Sequence, residues 1–102
     1  MMKKLINGKI AVLVSYGYGA GWYTWHDNEE MLFDPKIVEM VLDEAGETAI
    51  VEYCKTVYPD AYTGGVDGLT VEFVSPCTKF RIEEYDGAET LVREEDHEWI
   101  IA

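Results

Sequence analysis

The sequence predicts an α+β fold: one mostly antiparallel sheet of about five strands, with two helices packed on one face. Three observations predict it. Lys9 to Ser15 (KIAVLVS) is a short β-branched run, apolar on both faces. Behind Asp34-Pro35, the residues Ile37, Val38, Val41, Leu42 and Ala45 recur at helical spacing. The last third alternates apolar and polar residues around Asp86-Gly87. The expected order is β-α-α-β-β-β-β, in a single domain spanning residues 1–102.

Each element has its own warrant. A strand apolar on both faces suits a central, doubly covered position. Residues 16 to 30 (YGYGAGWYTWHDNEE) show neither helical nor alternating period and read as a long ordered loop. The first helix starts with Asp34 as its cap and Pro35 at its first position, and Gly46 is expected to supply the left-handed terminator. Thr48 to Tyr58 is ambiguous. Ile50, Cys54, Val57 and Tyr58 mark one helical face against Glu52, Lys55 and Thr56, whereas the β-branched content argues for a strand. Helix is favoured, ending before Pro59. Tyr62 to Gly68 is turn material; Leu69, Val71 and Phe73 then alternate with Thr70, Glu72 and Val74 as a half-buried strand. Phe80 and Ile82 form the next strand. Asp86-Gly87 is a type I′ hairpin signal returning through Glu89 to Val92, and Trp99 to Ile101 suggests a last short strand.

Charge narrows the partners. Twenty acidic and eight basic side chains give a net charge of −12. Direct binding to nucleic acid, or to an anionic membrane surface, needs clustered Lys and Arg and is not expected. A basic protein, a cation or a small ligand held by backbone donors stays open. The chain is 48% hydrophobic and 13% aromatic, enough for a core. Asn7, Gly8 and Lys9 interrupt the apolar stretch that a signal peptide requires, and Cys54 and Cys77 sit in no metal-ligand spacing. These features point to a cytoplasmic protein with reduced thiols, no cofactor and no metal.

The first candidate site is the aromatic glycine loop. Tyr16, Tyr18, Trp22, Tyr23 and Trp25 crowd around Gly17, Gly19 and Gly21, directly after the first strand. Tyr16, Tyr18, Trp22 and Trp25, with the three glycines and His26, are the expected ligand contacts. Alternating glycines let a backbone present its N–H groups to an anion, and aromatic faces stack a base or grip a cation. Together they suit a small polar, nucleotide-like ligand. The dinucleotide fingerprint does not fit, because the third glycine comes one position early and no helix follows at once. The alternative is that these rings fold back as core. His26 and His97 each lie beside acids, but without a metal or catalytic spacing they read as solvated loop residues. Neither cysteine has a histidine placed to activate it, so no catalytic residue is assigned and an enzyme is not the expected class.

The second candidate is acidic. Glu83, Glu84, Asp86, Glu89, Glu94, Glu95, Asp96 and Glu98 face only Arg93 among bases in that span. Carboxylates on a rigid hairpin can occupy a basic cleft in a partner, with Glu83, Glu84, Glu94 and Glu95 as the contact residues. A solvated edge that blocks unwanted strand pairing explains the same pattern without a partner. A homodimer stays open, since a small sheet with exposed aromatics can finish its core across an interface.

Four segments carry a resemblance: GYGAGWYTW (17–25), FDPKIVEMV (33–41), YPDAYTGG (58–65) and LTVEFVSPCTKFRIEEYDGAETL (69–91). They resemble small uncharacterised proteins encoded by tailed bacteriophages and prophages. The resemblance implies an accessory protein in the bacterial cytoplasm that binds a host protein, or that acts as a sponge for a host immune signalling molecule. It supplies no catalytic residues.

Overall fold

A computed structural model describes residues 2–94. The elements are β1 (Leu5–Ile6), β2 (Lys9–Ser15), α1 (Tyr23–His26), α2 (Glu29–Phe33), α3 (Pro35–Leu42), α4 (Glu47–Val57), a 3-10 helix (Gly64–Gly68), β3 (Leu69–Val74), β4 (Phe80–Tyr85) and β5 (Ala88–Arg93). The α+β class holds. The single five-stranded sheet does not: β1-β2-β3 form one antiparallel sheet and β4-β5 a separate antiparallel hairpin. The expected strand at Trp99 to Ile101 lies outside the described residues.

The second sheet has a physical reason. Residues 11–15 of β2 are buried on both faces, so both faces need a cover. Ala11 and Leu13 pack against Trp22, Met31, Ile37, Val38, Ile50 and Cys54, which brings α3 and α4 onto one side. Val12 and Val14 pack against Leu32, Phe33, Val74 and Leu91 on the other. The β4-β5 hairpin therefore folds over the sheet as a third layer instead of extending its edge. Cys77, in the left-handed region at φ 67°, lies in the connection that redirects the chain.

Local differences follow from short-range chemistry. Asn7-Gly8 is a left-handed turn, with φ 52° and 78°, and it pairs Leu5 with Ile10 and Ile6 with Lys9. That dipeptide is a hairpin signal rather than a mere interruption. The stretch expected as a loop contains two one-turn helices, α1 and α2, too short to show a 3.6-residue period. The Asn28 side chain caps α2 by accepting the Glu30 N–H. Segment 47–57 is helical, as favoured. Asp34 caps α3 through the Lys36 and Ile37 N–H groups, as expected. The left-handed residue after α3 is Glu44, at φ 55°, whereas Gly46 serves as the N-cap of α4.

Candidate functional site

The segment from Tyr16 to His26 is held on two sides. Tyr16 N–H donates to Gly68 O at 2.9 Å, tying its start to the 3-10 helix. Gly19 N–H donates to Asp86 O at 2.6 Å, tying its middle to the β4-β5 turn. The contacts are backbone on backbone. A Cβ on Gly65 would lie 2.2 Å from Gly21 O, and one on Gly87 would lie 2.3 Å from Ala20 N. Glycine is the residue that permits both approaches.

Between those contacts sits Glu89, which is 2% exposed. Its Oε1 accepts the Ser15 N–H at 2.9 Å. Its Oε2 accepts the Thr24 N–H at 2.9 Å and the Thr24 hydroxyl at 2.7 Å. A buried carboxylate is tolerated when it is fully hydrogen-bonded, and charge-assisted bonds are the stronger kind. Glu89 thus clasps the end of β2 to α1. It looked like one acid of a charged surface in the sequence; the signal for its burial is its place two residues before the buried Leu91, on the inward face of β5.

The predicted loop residues divide into two sets. Trp22 is fully buried, and its indole N–H donates to Met31 O at 3.2 Å. Gly17 packs on Gly68 and Gly21 on Gly65, Thr24 and Trp25, with Gly21 buried. His26 is part-buried, its ring edge-on to Trp22 and Tyr23. Its Nδ1 accepts the Asn28 N–H at 2.9 Å, which leaves the proton of the neutral ring on Nε2. Burial pulls the His26 pKa down to about 4, against a smaller opposite pull from Asp27. Tyr16, Tyr18 and Trp25 form the other set, exposed together with Tyr62 and Tyr85.

Trp25 organises that exposed surface. Its ring stacks on Tyr62, which sequence reasoning passed over as turn material, with centroids 5.4 Å apart and planes at 29°. Its Nε1–H donates to Glu84 Oε2 at 2.9 Å, and that oxygen also accepts the Gly87 N–H at 3.0 Å. Both residues keep nearly half their surface in solvent, 43% for Trp25 and 49% for Tyr62. Tyr85 and Asp86 lie exposed at the turn that Gly19 holds. Tyr16 has its phenol pushed up to about 12, first by partial burial and then by a hydrogen bond with Glu72.

The acidic candidates separate as well. Glu84 faces the loop, while its neighbour Glu83 is exposed and pairs with Arg81 at 3.2 Å. Glu94 sits at the far end of the hairpin, where its N–H donates to Lys79 O. Along the strand that is roughly 22–24 Å from the turn. Glu95 lies outside the described residues, as does His97. Of that set Glu84 alone contacts the aromatic surface; Glu83, paired across the hairpin with Thr90, is on the opposite face of β4. Among the described residues no group of three or more His, Cys, Asp or Glu is arranged to hold a metal ion, and no helix is long and apolar enough to cross a membrane.

Surface clefts of about 450 and 420 Å³ lie elsewhere, the first lined by Tyr53 and Tyr58 and the second by Phe33 and Phe80. Of the loop, Tyr23 reaches the second. No protein-family model matches the chain, and comparison with curated proteins and with solved structures gives no match either.

Proposed function

We propose that the protein is a non-enzymatic interaction module that takes a basic segment of a partner protein on its aromatic and carboxylate surface. The observation that carries this reading is the Trp25–Tyr62 stack, half-exposed and fixed by Glu84. A pre-ordered tryptophan and tyrosine pair loses little entropy on binding, and such residues dominate interface energies. The Glu84 carboxylate at the Trp25 ring edge, with Asp86 exposed at the adjoining turn, complements a guanidinium or ammonium group, which also gains from the ring faces. The net charge of −12 draws the same partner from a distance. In the phage-like setting that the four resembling segments suggest, the partner is a basic host protein.

A small polar, nucleotide-like ligand is the second reading, and the same stacked rings favour it, since an aromatic face accepts a base. The surroundings weigh against phosphates. Glu84 and Asp86 would repel them, and the loop's glycines pack on neighbouring backbone.

The test is capture of an arginine-rich peptide at low and high salt. Affinity should fall by about tenfold or more between 0.05 and 0.5 M salt. Trp25→Ala should cost about 2 kcal/mol, and Glu84→Lys should abolish capture. Capture untouched by these changes rules out this surface; stabilisation by nucleotides but not by peptide transfers the assignment to the second reading.

A further inference from the structure

A separate cleft, of about 450 Å³, opens between the start of α3 and the end of α4. At its base is Asp34, 5% exposed. Oδ1 is occupied by the Lys36 and Ile37 N–H groups, at 2.8 and 3.2 Å. Oδ2 accepts both tyrosine hydroxyls, Tyr53 at 2.9 Å and Tyr58 at 2.5 Å. The two rings meet edge to face, 6.4 Å apart. Each phenol has spent its only proton on Asp34, so each oxygen has only lone pairs left to offer. Burial, and then the bond to Asp34, push the Tyr53 phenol up to about 12 and Tyr58 higher still, so both stay protonated in this role.

The rest of the wall sets the charge. Glu30 lines the cleft and acts electrostatically on Tyr58. Among the described residues that line the cleft, Lys36 is the one cation, against the carboxylates of Glu30 and Asp34. Met2 and Pro35 supply apolar surface. Helix N–H groups would favour an anion at this end of α3, but Asp34 already consumes them. Acceptors, a net negative wall and short apolar flanks together select one chemistry.

We propose that the Asp34–Tyr53–Tyr58 cleft binds a primary alkyl-ammonium group, with its alkyl chain against Met2 and Pro35. The ammonium donates to the outward lone pairs of Tyr53 and Tyr58, and Glu30 balances its charge. These residues are distinct from the Trp25 surface, so either assignment can fail alone.

Calorimetric titration with butane-1,4-diamine at pH 7 tests it, with butane-1,4-diol as the neutral control. The diamine should bind with a Kd at or below about 1 mM, and the diol should give no heat. Glu30 and Lys36 make no side-chain hydrogen bond among the described residues, so their variants should leave the fold intact. Glu30→Gln should weaken binding by about fivefold, and Lys36→Gln should tighten it by a few-fold. Asp67→Asn, exposed on the 3-10 helix, should change nothing. Absence of diamine binding overturns the proposal. So does an equal loss from Glu30→Gln and Asp67→Asn, which would mark attraction by net charge alone.

Discussion

Replacing Glu89 by glutamine keeps its shape and removes its charge. The carboxylate accepts three hydrogen bonds, from the Ser15 N–H, the Thr24 N–H and the Thr24 hydroxyl. An amide has one acceptor oxygen, so its NH₂ must face at least one of these donors. With the oxygen toward Thr24, two bonds survive as neutral ones, each weaker by about 1 kcal/mol. The third is lost and leaves the Ser15 N–H buried and unpaired, for about 1–3 kcal/mol more. Burying a neutral amide instead of an anion returns part of that sum. The net expectation is about 3 kcal/mol of lost stability. In urea at pH 7 the midpoint should fall at unchanged slope, and the melting temperature should drop by roughly 12–20 °C. Hydrogen exchange of the Ser15 and Thr24 amides should accelerate beyond the global change. A variant within about 0.5 kcal/mol of the parent, with both amides still protected, refutes the clasp.

Further predictions separate the other devices. Gly87→Ala places a Cβ 2.3 Å from Ala20 N at φ 85°, whereas Gly8→Ala, at φ 78°, meets nothing within 4 Å. Denaturant melts should show about 1 kcal/mol lost at Gly8 and at least about 2 kcal/mol at Gly87, the difference measuring the close approach. His26 has a folded pKa of about 4 against 6.5 for an ordinary histidine. Its contribution is therefore intact above pH 6.5 and is lost as pH falls toward 4. Allowing for solvent screening of a part-exposed ring, about 1 kcal/mol should be gone at pH 5, and His26→Asn should remove that slope relative to the parent. Tyr62→Ala should unstack Trp25, seen as a red-shifted, more quenchable emission, with little change in stability because both residues are nearly half in solvent.

The elements that were legible in the sequence are those whose signals are local. Asp34-Pro35 starts α3, Asp86-Gly87 turns the hairpin, and the apolar face of 47–57 makes a helix. What stayed hidden depends on contacts across the chain. A pattern of alternation cannot distinguish a hairpin that extends a sheet from one that covers it. The choice is made by the doubly buried β2, whose two apolar faces were visible but whose second cover was not. In the site, the aromatic cluster was legible and its division was not. Trp22 and Trp25 lie three residues apart on one short turn, and tertiary packing alone sends the first to the core and leaves the second in solvent. Glu89, Tyr62 and the Tyr53–Tyr58 pair act through partners 19 to 74 residues away or through ring contacts, so no short motif announces them.

The central claim is that Trp25, Tyr62 and Glu84 form one binding surface. Titrating isotope-labelled protein with an arginine-rich peptide, and following every amide together with the indole N–H signals by NMR, tests it directly. Saturable shifts concentrated at the Trp25 indole N–H and at Tyr62, Glu84 and Gly87 are the predicted result. Shifts spread evenly over the acidic surface, with the Trp25 indole unmoved, would contradict it.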